Sequence, residues 1–145
     1  MTAAGHEHGA DFLPGPGDIP PERSHIDHTV IARCVGAYMD KCKPCGDNAL
    51  KAVIADGAAT GRLVEFACLL VDEMFGGIPS MLYEADAPGL SSPQFRRLVR
   101  IGIDTHTDDV IAECRRMSVE DRRTAASDAL DLVVGHLTLQ GIGLS

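Results

Sequence analysis

The sequence predicts an all-α protein, a single-domain bundle of about five helices preceded by an extended Pro/Gly-rich N-terminal arm. Three observations carry this. Apolar residues recur at three- and four-residue steps through most of the chain, and no convincing run alternates with period two. With no Trp, two Tyr and four Phe in 145 residues, the core is aliphatic, built from Leu, Val, Ile, Ala and Met, which suits helices better than sheets. Ser, Pro and Gly stand where helix starts and stops belong. A hydrophobic content of 45% over one domain's length is enough for a single core.

Residues 1–23 carry Pro14, Pro16, Pro20 and Pro21 with several glycines, a composition that cannot continue a helix and reads as an extended arm. Phe12, Leu13 and Ile19 are its apolar anchors, available to this chain, a second copy or a protein partner. The helical domain follows over 24–145. Ser24 with Asp27 resembles a capping box, and Ile26, Val30, Ile31, Cys34, Val35 and Tyr38 recur at helical spacing, so a first helix is expected from Ser24 to Cys42. Pro44 disfavours helix at Lys43, while Asp47 can cap a short second helix carrying Leu50, Val53 and Ile54 as far as Gly57. That arrangement leaves Cys42 and Cys45 in the turn.

A third helix starts at Thr60 or Gly61. It is apolar on nearly every side except at Glu65, Asp72 and Glu73, the pattern of a helix at the centre of a bundle, and Gly76 and Gly77 end it. One short helical turn is expected after Pro79. Ser92 caps a fourth helix with Pro93 at its first position, and Leu98, Val99, Ile103, His106, Val110, Cys114 and Met117 form one stripe along it. Ser118 with Asp121 opens a fifth, through Ala125, Leu130, Val133, Val134 and Leu137 to a stop at Gly141.

The net charge of −8 argues against a generic polyanion binder, because nucleic acids and anionic membranes are held mainly by Lys and Arg. Neither a nucleic-acid partner nor a membrane span is expected. The most apolar run, from Leu63 to Phe75, is short and broken by three acids. The start "MTAAGHEHGADFLPGPG" has neither a basic nor an apolar signal region, and the five cysteines are odd in number, which together predict a cytoplasmic protein with reduced thiols. The bias to Arg over Lys, and to Ala, Gly and Asp, suggests a GC-rich bacterial or phage source.

The stretch that looks most like chemistry is "DKCKPCGDNA", with Cys42 and Cys45 two residues apart between lysines. A zinc site needs two further Cys or His donors converging on one point. Cys34 lies eight residues upstream, roughly 12 Å along a helix and on a different face, and His25 and His28 lie farther still. Cys68 and Cys114 fall on apolar faces, where cysteine acts as a small hydrophobe. Only His6 and His8, in "GHEHG", could complete a set with Cys42 and Cys45, so neither metal nor cofactor is expected. For redox work, Lys41, Lys43 and a nearby helix start all favour a thiolate. The thioredoxin arrangement needs a preceding strand, and "IARCVGAYMD" reads as helix. A CxxC on an all-α scaffold is similar to that of the alkylhydroperoxidase D-like proteins. Those proteins follow the second cysteine closely with a histidine and place an acid upstream; the stretch here is "GDNALK", so membership does not follow.

"HIDH" and "HTDD" space His25 with His28 and His106 with Asp109 by three residues, without the repeated Glu-x-x-His of di-iron bundles. "GAATGR" lacks the Lys and Ser or Thr of a phosphate loop, "GPGDIPP" is not a dinucleotide turn, and no G-x-S-x-G occurs. Charge is uneven: 13 acids and 6 bases over residues 1–91 give −7, while 8 acids and 7 bases over residues 92–145 give −1. The late bases are all arginine. They make either a solvated, ion-paired face or a patch for an acidic partner, with Arg96, Arg97 and Arg100 as its interaction residues. Because no residue set combines nucleophile, base and orienting group, the expected function is a non-enzymatic helical module that binds a protein partner or forms a homo-oligomer. The alternative is a small thiol-disulfide oxidoreductase using Cys42 and Cys45.

Overall fold

The computed structural model describes residue 26 and residues 28–84, 92–104 and 107–139. In chain order it holds α1 (His28–Met39), α2 (Lys43–Ala55), α3 (Gly57–Phe75), a single 3₁₀ turn (Ser80–Leu82), α4 (Pro93–Asp104), α5 (Thr107–Arg116) and α6 (Val119–Leu139). Among the described residues there is no strand, and the all-α expectation holds. The N-terminal arm with Phe12, Leu13 and Ile19, the expected start at Ser24 and the stop at Gly141 lie outside the described residues.

Six helices replace the expected five because the single fourth helix is two. α4 and α5 pack against each other, which one continuous helix could not do, and Gly102 of α4 faces Val110 of α5 closely. The intervening "DTHT" is made of short polar and β-branched residues that compete with the helical backbone, a break that the apolar stripe conceals. Most of the stripe packs inward, with Leu98, Val99, Val110 and Cys114 buried, but Ile103 is 47% exposed and Met117 only half-buried, while His106 lies outside the described residues.

α3 is the centre of the bundle. It packs most extensively against α5 and α6 and also touches α1, α2 and α4, and its residues from Gly57 to Ala67 are buried without interruption. Two glycines permit this. A Cβ on Gly61 would lie 2.9 Å from Ile111 Cγ1 and 3.0 Å from its Cα, and one on Gly57 would lie 2.7 Å from Arg115 Cα. The backbones of α3 and α5 therefore cross at a distance only glycine allows. The helix begins earlier than Thr60 because Asp56, not a later residue, is its cap: the Asp56 carboxylate accepts from Ala58 N–H at 3.0 Å. Asp56 alone separates α2 from α3, and the Thr60 hydroxyl ties the joint by donating to Val53 O at 2.9 Å.

Three further capping signals are met. Phe95 N–H donates to Ser92 Oγ at 3.2 Å, Asp121 N–H donates to Ser118 Oγ at 3.1 Å, and Gly76 closes α3 at φ 68°. Charged side chains bind the helices at two interior points. Arg62, 7% exposed, donates to Glu65 at 3.1 Å and to His28 Nε2 at 3.3 Å, while its guanidinium lies 4.4 Å from the Phe66 ring centre. His28 Nδ1 in turn contacts Ile26 O at 2.9 Å, so the start of α1 is locked to α3. Arg122 donates to Cys114 O at 2.7 Å, Arg115 O at 3.0 Å and Ile54 O at 3.1 Å, closing the carbonyl ends of α5 and α2 from α6. Among the described residues no helix is long and apolar enough to cross a membrane.

Candidate functional site

The α1–α2 joint is built almost entirely by backbone. Asp40 N–H donates to Gly36 O at 3.0 Å, Lys41 N–H to Tyr38 O at 3.2 Å and Cys42 N–H to Ala37 O at 3.0 Å. The last two bonds form a Schellman closure with Lys41 in the left-handed position that glycine usually occupies, at φ 57°. Lys41 is the one non-glycine residue with positive φ among the described residues. Cys42 then turns to φ −89°, ψ 94° and becomes the N-cap of α2, with Gly46 N–H donating to its carbonyl at 2.8 Å.

This corrects the placement of the cysteines. Cys42 sits at the joint, but Cys45 is the third residue of α2, because the helix starts at Lys43 and not at Asp47. Pro44 does not prevent this: in a first turn its missing N–H is not needed and its fixed φ is already helical. Asp47 lies inside the helix, 3.8 Å from the Lys43 ammonium in an exposed ion pair. Directly after the motif, Gly46 accepts the Tyr38 ring; a Cβ there would lie 2.8 Å from Tyr38 Cε1. Tyr38 thus fixes the first turn of α2 against α1. Its hydroxyl is pushed up by burial first, then by Cys34, Asp47 and Asp131, with Arg123 acting the other way.

The five cysteines divide into two kinds. Cys34, Cys68 and Cys114 are each pushed up to about 12, chiefly by burial, which keeps them as unreactive thiols. By exposure Cys42, Cys45 and Cys68 are all half-buried, and what sets Cys42 and Cys45 apart is that each neighbours another thiol. The Cys45 thiol is raised first by its hydrogen bond to Cys42, with lesser contributions from burial and from the charge that Cys42 would carry. A thiolate on Cys42 would accept the Cys45 S–H at the N-terminal end of α2, although the Cys42 side chain makes no cap hydrogen bond to the helix.

The remaining predicted residues lie elsewhere. Arg96 is buried, 7% exposed, on α4. Arg97, 62% exposed, meets Glu113 of α5 at 2.8 Å, and Arg116 holds the other oxygen of the same carboxylate at 2.8 Å. Arg100 donates to Tyr83 O at 2.7 Å. These arginines join α4 to α5 and to the segment before it, and they do not converge with the cysteines. His6, His8 and His106 fall outside the described residues, and among the described residues no three His, Cys, Asp or Glu gather as for a metal ion. Sequence reasoning missed the His28–Arg62–Glu65 cluster and the Arg122 clamp. The first had a signal, two opposite charges three residues apart in the apolar stretch of α3 before Asp72; the second had none, since Arg122 and Arg123 look alike on paper. Comparison with family models, curated proteins and solved structures finds no significant match to the chain.

Proposed function

We propose that the chain is a small dithiol–disulfide oxidoreductase working through Cys42 and Cys45. The observation that supports this best is the hydrogen-bonded pair of half-buried thiols at the start of α2, in a chain where Cys34 and Cys114 are buried and Cys68, itself half-buried, has its thiol pushed up to about 12. Cys42, as thiolate, attacks one sulfur of a substrate disulfide; the S–S bond breaks, a mixed disulfide forms, and the other substrate sulfur leaves as a thiolate. Cys45 then passes its proton to solvent or to that leaving group and attacks Cys42 Sγ. The second substrate thiol is released, and Cys42 and Cys45 end as a disulfide, having supplied two electrons. The test is a trap. The pre-reduced Cys45→Ser protein should accumulate one equivalent of mixed disulfide at Cys42, and Cys42→Ser should react at neither position; equal trapping by both variants would overturn the assignment of roles, and no trapping the function.

A non-enzymatic module that binds a protein partner or a second copy is the second function with support. Leu69 and Phe75, 57% and 64% exposed, leave apolar surface at the outer end of α3. The arm with Phe12, Leu13 and Ile19 supplies further anchors in the same chain. Light scattering separates the cases: deletion of residues 1–21, or Phe75→Ser, should lower the mass in solution if self-association uses them, and an unchanged monomeric mass removes self-association from consideration.

A further inference from the structure

All three lysines of the chain, Lys41, Lys43 and Lys51, stand within ten residues of the dithiol, while every other base is one of ten arginines. Over residues 40–51 they face only Asp40 and Asp47, so this stretch is net +1 in a chain of −8. Two of the three occupy places where a lysine is locally unfavourable. Lys41 takes a left-handed conformation that glycine adopts freely and a side chain resists. Lys43 sits at the first position of α2, where the helix dipole repels a cation. Its ion pair with Asp47 is long and exposed, with side-chain exposures of 86% and 53%, and offsets little. The departure at Lys41 is conformational, since its cation suits the C-terminus of α1, and that at Lys43 is electrostatic; together they place positive charge on either side of Cys42 in sequence. Neither is needed for the turn: its bonds are backbone bonds, which glycine at 41 would make as well. Local rules broken together, at the accessible thiols, mark a residue choice made for chemistry.

We infer that Lys41 and Lys43 make the dithiol selective for anionic reaction partners, disulfides that carry carboxylates next to the sulfur–sulfur bond. This rests on the dithiol function and names its substrate class. Lys41 and Lys43 are positioning residues: they draw the anionic disulfide to Cys42 Sγ and favour the Cys42 thiolate without exchanging atoms with the substrate.

The experiment uses the full chain, pre-reduced, in single-turnover reactions with dithiodiglycolate, hydroxyethyl disulfide and cystamine, which are dianionic, neutral and dicationic. At low ionic strength the expected order is anionic, neutral, cationic. Replacing each lysine by methionine should lower the anionic-to-cationic rate ratio by about threefold to tenfold, from charges roughly 7 Å apart in water. Arginine at either position should keep the ratio, and salt at about 1 M should abolish most of it. Lys41→Gly gives a readout that a purely structural lysine would not move: the protein should become more stable while the ratio falls. A second measurement needs no turnover. Alkylation of Cys42 by iodoacetate relative to iodoacetamide, read by peptide mapping, should fall in the methionine variants and hold in the arginine variants. Ratios that ignore both substitutions would overturn the inference even if the protein reduces disulfides. A lysine-dependent iodoacetate preference without any disulfide reduction would support the anion selectivity and sink the dithiol function instead.

Discussion

The α3–α5 crossing can be tested by adding single methyl groups. In Gly57→Ala the new Cβ meets Arg115 Cα at 2.7 Å and Arg115 N at 2.8 Å, both backbone atoms that cannot rotate away. In Gly61→Ala it meets Ile111 Cγ1 at 2.9 Å and Ile111 Cα at 3.0 Å, inside the buried core. Ordinary carbon contacts begin near 3.5 Å, so the helices must part by several tenths of an ångström, and overpacking of this kind costs about 1–3 kcal/mol. Better helix propensity returns about 1 kcal/mol in the interior of α3 and less at its first residue. The net losses are therefore about 1 kcal/mol for Gly61→Ala and about 2 kcal/mol for Gly57→Ala. Gly135→Ala is the control: nothing lies within 4 Å of its added Cβ, and in the interior of α6 it should stabilise by about 0.5–1 kcal/mol. Urea unfolding followed by far-UV circular dichroism resolves all three, because a slope of about 2 kcal/mol per molar turns the Gly57 loss into a midpoint shift of about 1 M. If Gly57→Ala and Gly61→Ala both matched or exceeded the parent's midpoint, the close crossing would be refuted.

Arg122→Met should cost about 2–4 kcal/mol by leaving the carbonyls of Ile54, Cys114 and Arg115 without their shared donor, whereas the exposed Arg123→Met should stay within about 0.5 kcal/mol, measured by the same unfolding. Stability should decline in alkali. Cys34 and Cys114 titrate near 12 when folded against 9.0 otherwise, so their stabilisation is complete below pH 9.0 and is lost as pH rises toward 12, at about 1.4 kcal/mol per pH unit for each thiol. Replacing both with valine should flatten the fall in urea midpoint between pH 9 and 10.5, and an unchanged slope would count against their burial. Gly46→Ala should disturb the dithiol without unfolding the chain, since its methyl displaces the Tyr38 ring and with it the first turn of α2. A Cys42 alkylation profile indistinguishable from the parent's would show that Tyr38 does not position the motif.

Local signals that act through oxygen and glycine were readable from the residues alone. Ser92, Ser118 and Gly76 do as helix caps what their types do elsewhere, and apolar residues on nearly every side marked α3 as central. The errors at the two joints around α2 share a cause, residues serving two elements at once. Gly57 ends the α2 pattern, yet it begins α3 and admits α5. Asp56 and Cys42 each close one helix while opening the next, so no loop exists to be recognised. Cys42 carries no oxygen to announce an N-cap, and Pro44 then reads as a break where it is in fact part of a first turn. The split between α4 and α5 escaped for a different reason: the apolar stripe keeps its step across "DTHT", and only packing shows that the two halves face each other.

The placement of the dithiol explains how a strained turn can persist. The core is centred on α3, with Leu63, Val64, Leu98, Leu130 and Val133 nearly inaccessible, and the Cys42–Cys45 turn stands outside it. A left-handed lysine costs on the order of 1 kcal/mol, a small charge against a bundle stabilised by so much buried aliphatic surface. The turn's geometry is over-determined by backbone bonds to Gly36, Ala37 and Tyr38 and by the start of α2, none of which involves a sulfur atom. Chemistry at Cys42 and stability of the bundle are therefore separable. Cys42→Ser alters the first at a side chain outside the buried core, and Gly57→Ala alters the second at a crossing formed by other helices. Under the proposed function, conversion between dithiol and disulfide at this joint should leave the packing of the core unchanged.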